Sequence, residues 1–425
     1  MNPNIPKTNK KRIVIVGGGF AGLKLATSLK NSNFQIVLLD KNNYHQFQPL
    51  LYQVATAGLE PSAIAFPFRK ILQKFKHFHF RETTVLKVNS NLNTLETTIG
   101  TIEYDILVIA TGTDTNFYKI NSLMENAIPM KSVSEALKIR NTILEDFEYA
   151  MVSENEEELD KNLDIVIVGG GPTGVELAGA ISDMRNHILP KDYPEIDFSK
   201  MNIYIIESGE RVLASMRENS SQKALDYLQK LNVKVLLKTS VKSYENETVQ
   251  LSDGSILKTK TLIWAAGVTP NKINGFTDLD YHPSSRLIVD KTNKLINYSN
   301  IYAIGDNSIL LNDRYPKGHP QVAQVAIQQA KNLAKNLKNS VRINEFSYID
   351  KGSMATIGRN LAVVDLPKFS FGGIFAWLVW MFVHLMAIVG VKNKFFIFIS
   401  WTIAYFTKDQ SLRLIIRPKS KSNKN

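Results

Sequence analysis

The sequence predicts an α/β protein with two parallel-sheet units in one chain, and three observations predict it. Ile13 to Leu25, IVIVGGGFAGLKL, returns from Ile165 as IVIVGGGPTGVEL. The strand YDILVIATGT returns as TLIWAAGVTPN, so the repeat extends well beyond the glycines. Phe371 to Val391 is an uncharged apolar run that belongs to neither copy. Together these read as two Rossmann-like dinucleotide-binding domains, the second inserted in the first, followed by a C-terminal membrane-associating helical segment.

In each copy four β-branched residues make a buried strand, and a Gly-x-Gly-x-x-Gly turn leads into a helix. The first glycine, Gly17 or Gly169, permits the tight turn. The second, Gly19 or Gly171, lets a pyrophosphate approach the backbone, and the third, Gly22 or Gly174, allows close helix-to-strand packing. Phosphates then sit on the free N–H groups of the helix N-terminus. FQIVLLD ends in Asp40, where a carboxylate accepts from ribose hydroxyls, and NIYIIE ends in Glu207. Glu207 lies further along than the usual spacing of roughly 20 residues, and the proline-bearing stretch 189–200 reads as the insertion responsible. One fingerprint is compatible with an ordinary glycine turn, but two in tandem, each with its own acidic residue, specify dinucleotides.

The remaining elements follow in order. The first strand, a helix to about Lys30 and a strand over 34–39 complete a βαβ opening. Tyr44 to Ala55, YHQFQPLLYQVA, is aromatic-rich without a clean period: a buried loop-to-helix entry, or glutamine and aromatic groups bordering a flat ring. His45 there reads as a hydrogen-bonded structural histidine. Residues 75–108 alternate as a small meander, with Val85 on a strand that can offer backbone groups to an adenine. Ala110, Thr111 and Gly112 are small enough at a strand end for a cofactor to approach. Lys131 to about Leu159 is helical in pattern, with the acidic SENEEELD read as a solvated helix end or loop. The second fold runs from Leu163 to about Gly267. Arg286 to Asp290 is a return strand, and YAIGD brings the chain back to the first domain, Asp306 being either a hydroxyl acceptor or a turn residue. In AQVAIQQAKNLAKNL, Ala323, Ala326 and Ala330 share a stripe beside Gln324 and Gln328. The glutamines are either exposed, or aimed at a carbonyl over a small-residue face packed under a ring. Expected boundaries are 1–120 with 286–345, 121–285 inserted, and 346–425.

At 425 residues there is room for two or three domains, and 44% hydrophobic with 21% charged residues is ordinary for a globular chain. There is no cysteine, which removes disulfides, thiolate metal sites and any redox-active dithiol; no metal site is expected. A net charge of +12 favours an anionic partner surface. No basic stripe interleaved with aromatics appears outside the tail, so lipid is expected rather than nucleic acid. The polar N-terminus MNPNIPKTNKKR has no signal-peptide h-region, giving a cytoplasmic expectation. The apolar run is long enough to span a membrane, but a crossing would place Arg413, Arg417, Lys419, Lys421 and Lys424 outside, against the positive-inside tendency. Two interfacial helices are therefore expected, with Trp377, Trp380 and Trp401 at headgroup depth and Phe396, Ile399, Ile403 and Phe406 forming one apolar stripe. His384 either packs or faces a ligand channel.

Taken together, GGGFAG with Asp40, QPLLYQVA, ATG, GGGPTGVELAG with Glu207, YAIGD, AQVAIQQA and the amphipathic tail resemble the type II NADH dehydrogenases, over essentially the whole chain. That resemblance implies a monotopic, FAD-containing NADH:quinone oxidoreductase of the respiratory chain that does not pump protons. It implies non-covalent FAD on Gly17, Gly19, Phe20, Ala21, Gly22, Asp40, Lys41, Gln53 and Val85, with Ala110, Thr111, Gly112, Gly305 and Asp306. NADH would lie on Gly169, Gly171, Pro172, Thr173, Gly174, Glu176, Glu207, Ala266 and Gly267. Glu176 would be the catalytic carboxylate, and Ala323, Gln324, Gln328 and His384 would line the quinone site. A homodimer on the cytoplasmic face of the membrane is implied as well. Rival readings are a soluble flavin reductase of the ferredoxin or rubredoxin reductase kind and a nucleotide-sensing membrane protein without turnover.

Overall fold

The computed structural model describes residues 2–339, 341–410 and 412–416. The chain forms two compact units, one of residues 1–46, 65–114 and 268–351, the other of 47–64, 115–267 and 352–425.

The first unit is organised by a parallel sheet in the order Ile301–Ala303, Ile106–Ile109, Arg12–Val16, Gln35–Asp40, Phe78–Glu82. Its central strand is buried on both faces, which is why it reads as an unbroken β-branched run rather than an alternation. Ile13 and Ile15 pack with the helices Phe20–Ser28 and Ala323–Lys338, while Val14 and Val16 pack with Val88, Leu95 and Ile102 of an antiparallel meander. That meander pairs Val85–Asn89, Thr94–Thr97 and Gly100–Glu103. The Ala323–Lys338 helix lays Ala326, Ala330 and Ala334 on the Phe20–Ser28 helix. The chain leaves this unit after Gly112 and re-enters before Asn271, whose N–H donates to the Gly112 carbonyl at 3.0 Å.

The second unit repeats the plan. Its parallel sheet runs Ile128–Pro129, Thr261–Trp264, Ile165–Val168, Ile203–Ile206, Val233–Leu236. A meander of Val241–Glu245, Thr248–Leu251 and Ile256–Lys258 again precedes the closing strand. The stretch from Lys131 is two helices rather than one with a solvated end. Val133–Ala150 starts at a Ser132/Glu135 capping box, and Glu156–Leu163 starts at Asn155, whose side chain accepts from Glu158 N–H. Three glutamates in the first turn of that second helix are favourable to its dipole, so the acidic run is itself a helix start.

The C-terminal residues cluster with this second unit, as does 47–64. They add an antiparallel sheet of Ser353–Thr356, Ala362–Asp365 and Ser370–Gly372, then helices Ile374–Ala387 and Val391–Thr407. Among the described residues no helix is long and apolar enough to cross a membrane. Phe396, Ile399, Ile403 and Phe406 are all exposed, as the stripe predicts. Trp380 is buried and so cannot reach a headgroup belt, while Trp401, which donates from Nε1 to Gln53 Oε1, and Trp377, which packs near Tyr405, are partly exposed. The indole N–H groups of Trp380 and Trp401 find partners within the unit, at Glu176 and Gln53. Arg417, Lys419, Lys421 and Lys424 of the basic tail lie outside the described residues.

Gln329 was not singled out by periodicity, yet it is buried and its Oε1 accepts from Gly305 N–H at 2.7 Å. Replacing it with Leu strands that N–H in the core, at a cost of about 1–3 kcal/mol. Gln329→Leu should therefore lower the thermal midpoint, measured by calorimetry, whereas Gln328→Leu at the helix surface should lower it less; equal midpoints would remove the role given to Gln329.

Candidate functional site

In the first unit Gly17 has a φ of +102°, and a Cβ there would collide with the Ala110 carbonyl; one on Gly22 would collide with the Gly17 carbonyl. Around Gly19 there is open space, so the helix N-terminus is bare to a ligand. Asp40 Oδ2 accepts from Gly18 N–H at 2.6 Å and Oδ1 from Asn42 N–H at 2.8 Å, which aims the carboxylate at the turn and leaves a lone pair on each oxygen. Burial raises its pKa, and the two backbone bonds oppose that. His45 is buried, with Nδ1 donating to the Gly18 carbonyl at 3.0 Å and burial lowering its pKa, so it is a neutral brace for the turn. Thr111 is held by Asn271 through both its hydroxyl and its carbonyl. Gly305, at φ +83°, approaches Ala21 and Ala326, and Asp306 Oδ2 accepts from the Thr113 hydroxyl. A bare helix end, a strand-end carboxylate and two small-residue strand ends fit FAD.

The second unit reproduces this geometry. Gly169 has a φ of +113° against Ala265, a Cβ on Gly174 would collide with the Gly169 carbonyl, and Gly171 faces open space. Pro172 occupies the first helical position, where its missing N–H costs nothing. Glu207 accepts from Gly170 N–H and Gly209 N–H, both at 2.6 Å, so it caps the turn as Asp40 does in the other copy. Gly267, at φ +94°, sits beside Tyr118 at the end of the closing strand. This turn fits a second dinucleotide.

The helix that opens in that turn, Pro172–His187, carries Glu176 on its buried face. Glu176 is 7% exposed, and its Oε1 accepts from Trp380 Nε1 at 3.2 Å and from Thr356 N–H at 3.4 Å. Burial outweighs these bonds and pushes its pKa up to about 8. Trp380 stacks on His384 at 4.0 Å, whose Nδ1 donates to the Trp380 carbonyl, and burial lowers the His384 pKa to about 4. His384 is thus a neutral packing group. Beside it lies a cavity of about 120 Å³ walled by Tyr52, Trp377, Trp380, Trp401 and Tyr405, with Gln53, Asp183 and Arg359 as polar members.

In the glutamine helix the amides of both Gln324 and Gln328 bind neighbouring backbone. Gln328 exchanges two hydrogen bonds with the backbone of Ile349, and Gln324 Oε1 accepts from Lys351 N–H, so both hold residues 349–351 in place. Reasoning from sequence also passed over Thr356, Arg359 and Asp183. For Asp183 a signal existed, an acidic residue two turns beyond Glu176 on one helix face. The other two come from the added sheet, whose placement no local pattern encodes.

Two dinucleotide turns in one chain, each with a capping carboxylate, define a pyridine-nucleotide flavoprotein, and residues 11–330 match the family model described as pyridine nucleotide-disulphide oxidoreductase. Residues 351–408 match that of the NDH2 C-terminal domain. The chain is 33% identical to the type II NADH:quinone oxidoreductase Ndh of Mycobacterium tuberculosis, over 95% of this chain and 90% of that protein. It is 30% identical to the type II NADH:quinone oxidoreductase of Haemophilus influenzae, over 84% and 87%. In fold it matches NDH2 from Plasmodium falciparum in complex with NADH, with a TM-score of 0.88 at 23% identity, covering 96% of this chain and 100% of that one. The chain belongs to the type II NADH:quinone oxidoreductase family. Having no cysteine, it cannot run the disulfide chemistry after which the wider class is described.

A carboxyl with a raised pKa binds its proton in the folded state up to about pH 8 and releases it in the unfolded state near the ordinary value of 4.5. Its contribution to stability is therefore lost as pH rises through that window, at up to about 1.4 kcal/mol per pH unit. Glu176→Gln should show a smaller fall in thermal midpoint between about pH 5 and pH 9 than the wild type. Asp183, raised to about 6, and Asp146, raised to about 7, keep part of the slope in both proteins. Superimposable profiles would mean that Glu176 is ionised in the fold.

Proposed function

We propose that this chain oxidises NADH and reduces a membrane quinone, by the net reaction NADH + H⁺ + quinone → NAD⁺ + quinol, without pumping protons. The observation that carries the reading is a single helix, Pro172–His187, which begins in the second dinucleotide turn and bears, one turn in, a buried carboxyl that accepts from Trp380 Nε1 and Thr356 N–H. FAD, held non-covalently at the first turn, supplies the two-electron chemistry that joins the two substrates.

The protein's own residues bind, select and deliver a proton. NADH pyrophosphate rests on the N–H groups around Gly171, Pro172, Thr173 and Gly174, and its ribose hydroxyls on Glu207, with Ala266 and Gly267 leaving room at the closing strand. A carboxylate at 207 repels a 2′-phosphate, which gives NADH preference over NADPH. FAD is assigned to Gly17, Gly19, Phe20, Ala21, Gly22, Asp40, Lys41, Val85, Ala110, Thr111, Gly112, Gly305 and Asp306, with Gln53 as a further contact. Glu176 Oε1 accepts two N–H donors, so its proton sits on Oε2 and is available to the reducing quinone. Ala323 and Gln324 are assigned to the quinone headgroup, with Gln328 clamping Ile349 beside them; in the second unit His384 packs on Trp380.

The exposed faces of Ile374–Ala387 and Val391–Thr407 are assigned to the lipid surface, with peripheral attachment at the cytoplasmic face of the membrane and a homodimer as the assembly. Phe375 is 74% exposed and Phe406 78%, an apolar surface that a soluble electron acceptor would not require.

Glu207→Gln should lower the ratio of kcat/KM for NADH over NADPH by about tenfold, since charge repulsion of about 1.4 kcal/mol is removed; an unchanged ratio in steady-state assays would take selectivity away from this residue. The double variant Phe375→Asp, Phe406→Asp should lose co-sedimentation with anionic vesicles while keeping its turnover with a water-soluble short-chain quinone. Vesicle binding equal to wild type would place the lipid surface elsewhere.

A further inference from the structure

A buried acid that gives its proton to a quinone must be reloaded once per turnover, and Glu176, 7% exposed, has no direct access to bulk water. Its own hydrogen-bond partners, Thr356 and Trp380, wall a cavity. Further along the same helix face, Ala180 and Asp183 line that cavity, with Asp183 about 10 Å down the axis at 1.5 Å per residue. Asp183 is only half-buried, and the Arg359 backbone N–H and guanidinium both face it.

Tyr52 stands in the same wall, and its hydroxyl is oriented by a hydrogen-bond chain whose direction is fixed at one end. Trp401 Nε1 can only donate, and does so to Gln53 Oε1 at 2.8 Å. Gln53 Nε2 must then face Tyr52, donating to Oη at 2.9 Å. Tyr52 Oη is an acceptor towards Gln53, so its own hydrogen is directed away from it, and Tyr52 shares the cavity wall with Asp183 and with Trp380 and Thr356, the two donors to Glu176.

We infer that Asp183 and Tyr52 form the route by which Glu176 is re-protonated from solvent, with water in the cavity joining them. The inference rests on Glu176 as the proton source for the quinone. In each cycle Glu176 Oε2–H breaks as the quinone oxygen gains a proton. Asp183 takes a proton from solvent and releases it to cavity water. Tyr52 Oη accepts from that water as its own proton passes on towards Glu176, so only O–H bonds are exchanged and the net uptake is one proton from solvent. Asp183 and Tyr52 are relay residues acting through Glu176, and Gln53 and Trp401 set the direction of the Tyr52 hydroxyl.

The test uses the detergent-solubilised holoenzyme under anaerobic stopped flow, with NADH and a short-chain quinone added separately. Asp183→Asn and Tyr52→Phe should each leave flavin reduction by NADH unchanged and leave the first quinone turnover unchanged, because Glu176 begins loaded. Later turnovers should slow by about tenfold at pH 7, where Glu176 starts each experiment protonated. Added formate, a small weak acid, should restore part of the rate in Asp183→Asn, and Asp183→Glu should retain it. Independently of turnover, the infrared carbonyl band that disappears in Glu176→Gln should exchange with deuterium more slowly in both relay variants. Wild-type multiple turnover and exchange in Asp183→Asn and Tyr52→Phe overturn the relay, as does a first turnover slowed as much as the later ones. If Glu176→Gln itself re-oxidises at the wild-type rate, the reading of Glu176 fails instead.

Discussion

The hydrogen bond from the glycine after each tight turn to a carboxylate at the end of the neighbouring strand, Gly18 to Asp40 and Gly170 to Glu207, is what the rest of the structure depends on. It couples three things that are separate in sequence: the turn's backbone, the start of the helix, and the position of a negative charge. Gly17 N–H is bonded to Leu39 and Gly169 N–H to Ile206, so strand and turn are already in register when the carboxylate closes on them. The third glycine admits the helix against the turn, where any side chain would strike a carbonyl. Both phosphate recognition and ribose recognition thus follow from one local arrangement, made twice.

Much of this was legible in the sequence because it is local. Buried parallel strands read as β-branched runs, glycines mark turns that side chains cannot make, and both carboxylates sit at predictable strand ends. What stayed hidden came from packing between distant segments. Gln329, rather than either of the glutamines chosen by stripe, is the one turned inward, because Ala326, Ala330 and Leu333 fix which face of that helix is buried. The tryptophans were assigned to lipid on their general habit, whereas Tyr52, Gln53 and Glu176 supply partners that only folding brings near. The acidic run after Ala150 shows the opposite error: a composition that suggested a loop is a helix start with an asparagine cap.

Glu176 illustrates how a strong perturbation arises without any nearby charge. Its two donors are an indole and a backbone N–H, both neutral, and each favours the ionised form. Burial wins because the surrounding wall of aromatic rings offers the carboxylate little else. Asp183, on the same helix but partly exposed and facing Arg359, is raised less, to about 6. One helix therefore carries two acids of graded strength, the stronger towards solvent, and depth of burial together with Arg359 sets the gradient.

The crossing from Gly112 to Asn271 has a further meaning. The two ends of the inserted segment are hydrogen-bonded neighbours in the host unit, so the excursion costs that sheet no strand and leaves its order undisturbed. A segment attached in this way is a cassette. Its nucleotide preference can drift, or the whole module can be exchanged between related genes, while the host keeps its own turn and carboxylate. The same plan of five parallel strands and a three-stranded meander thus serves both units.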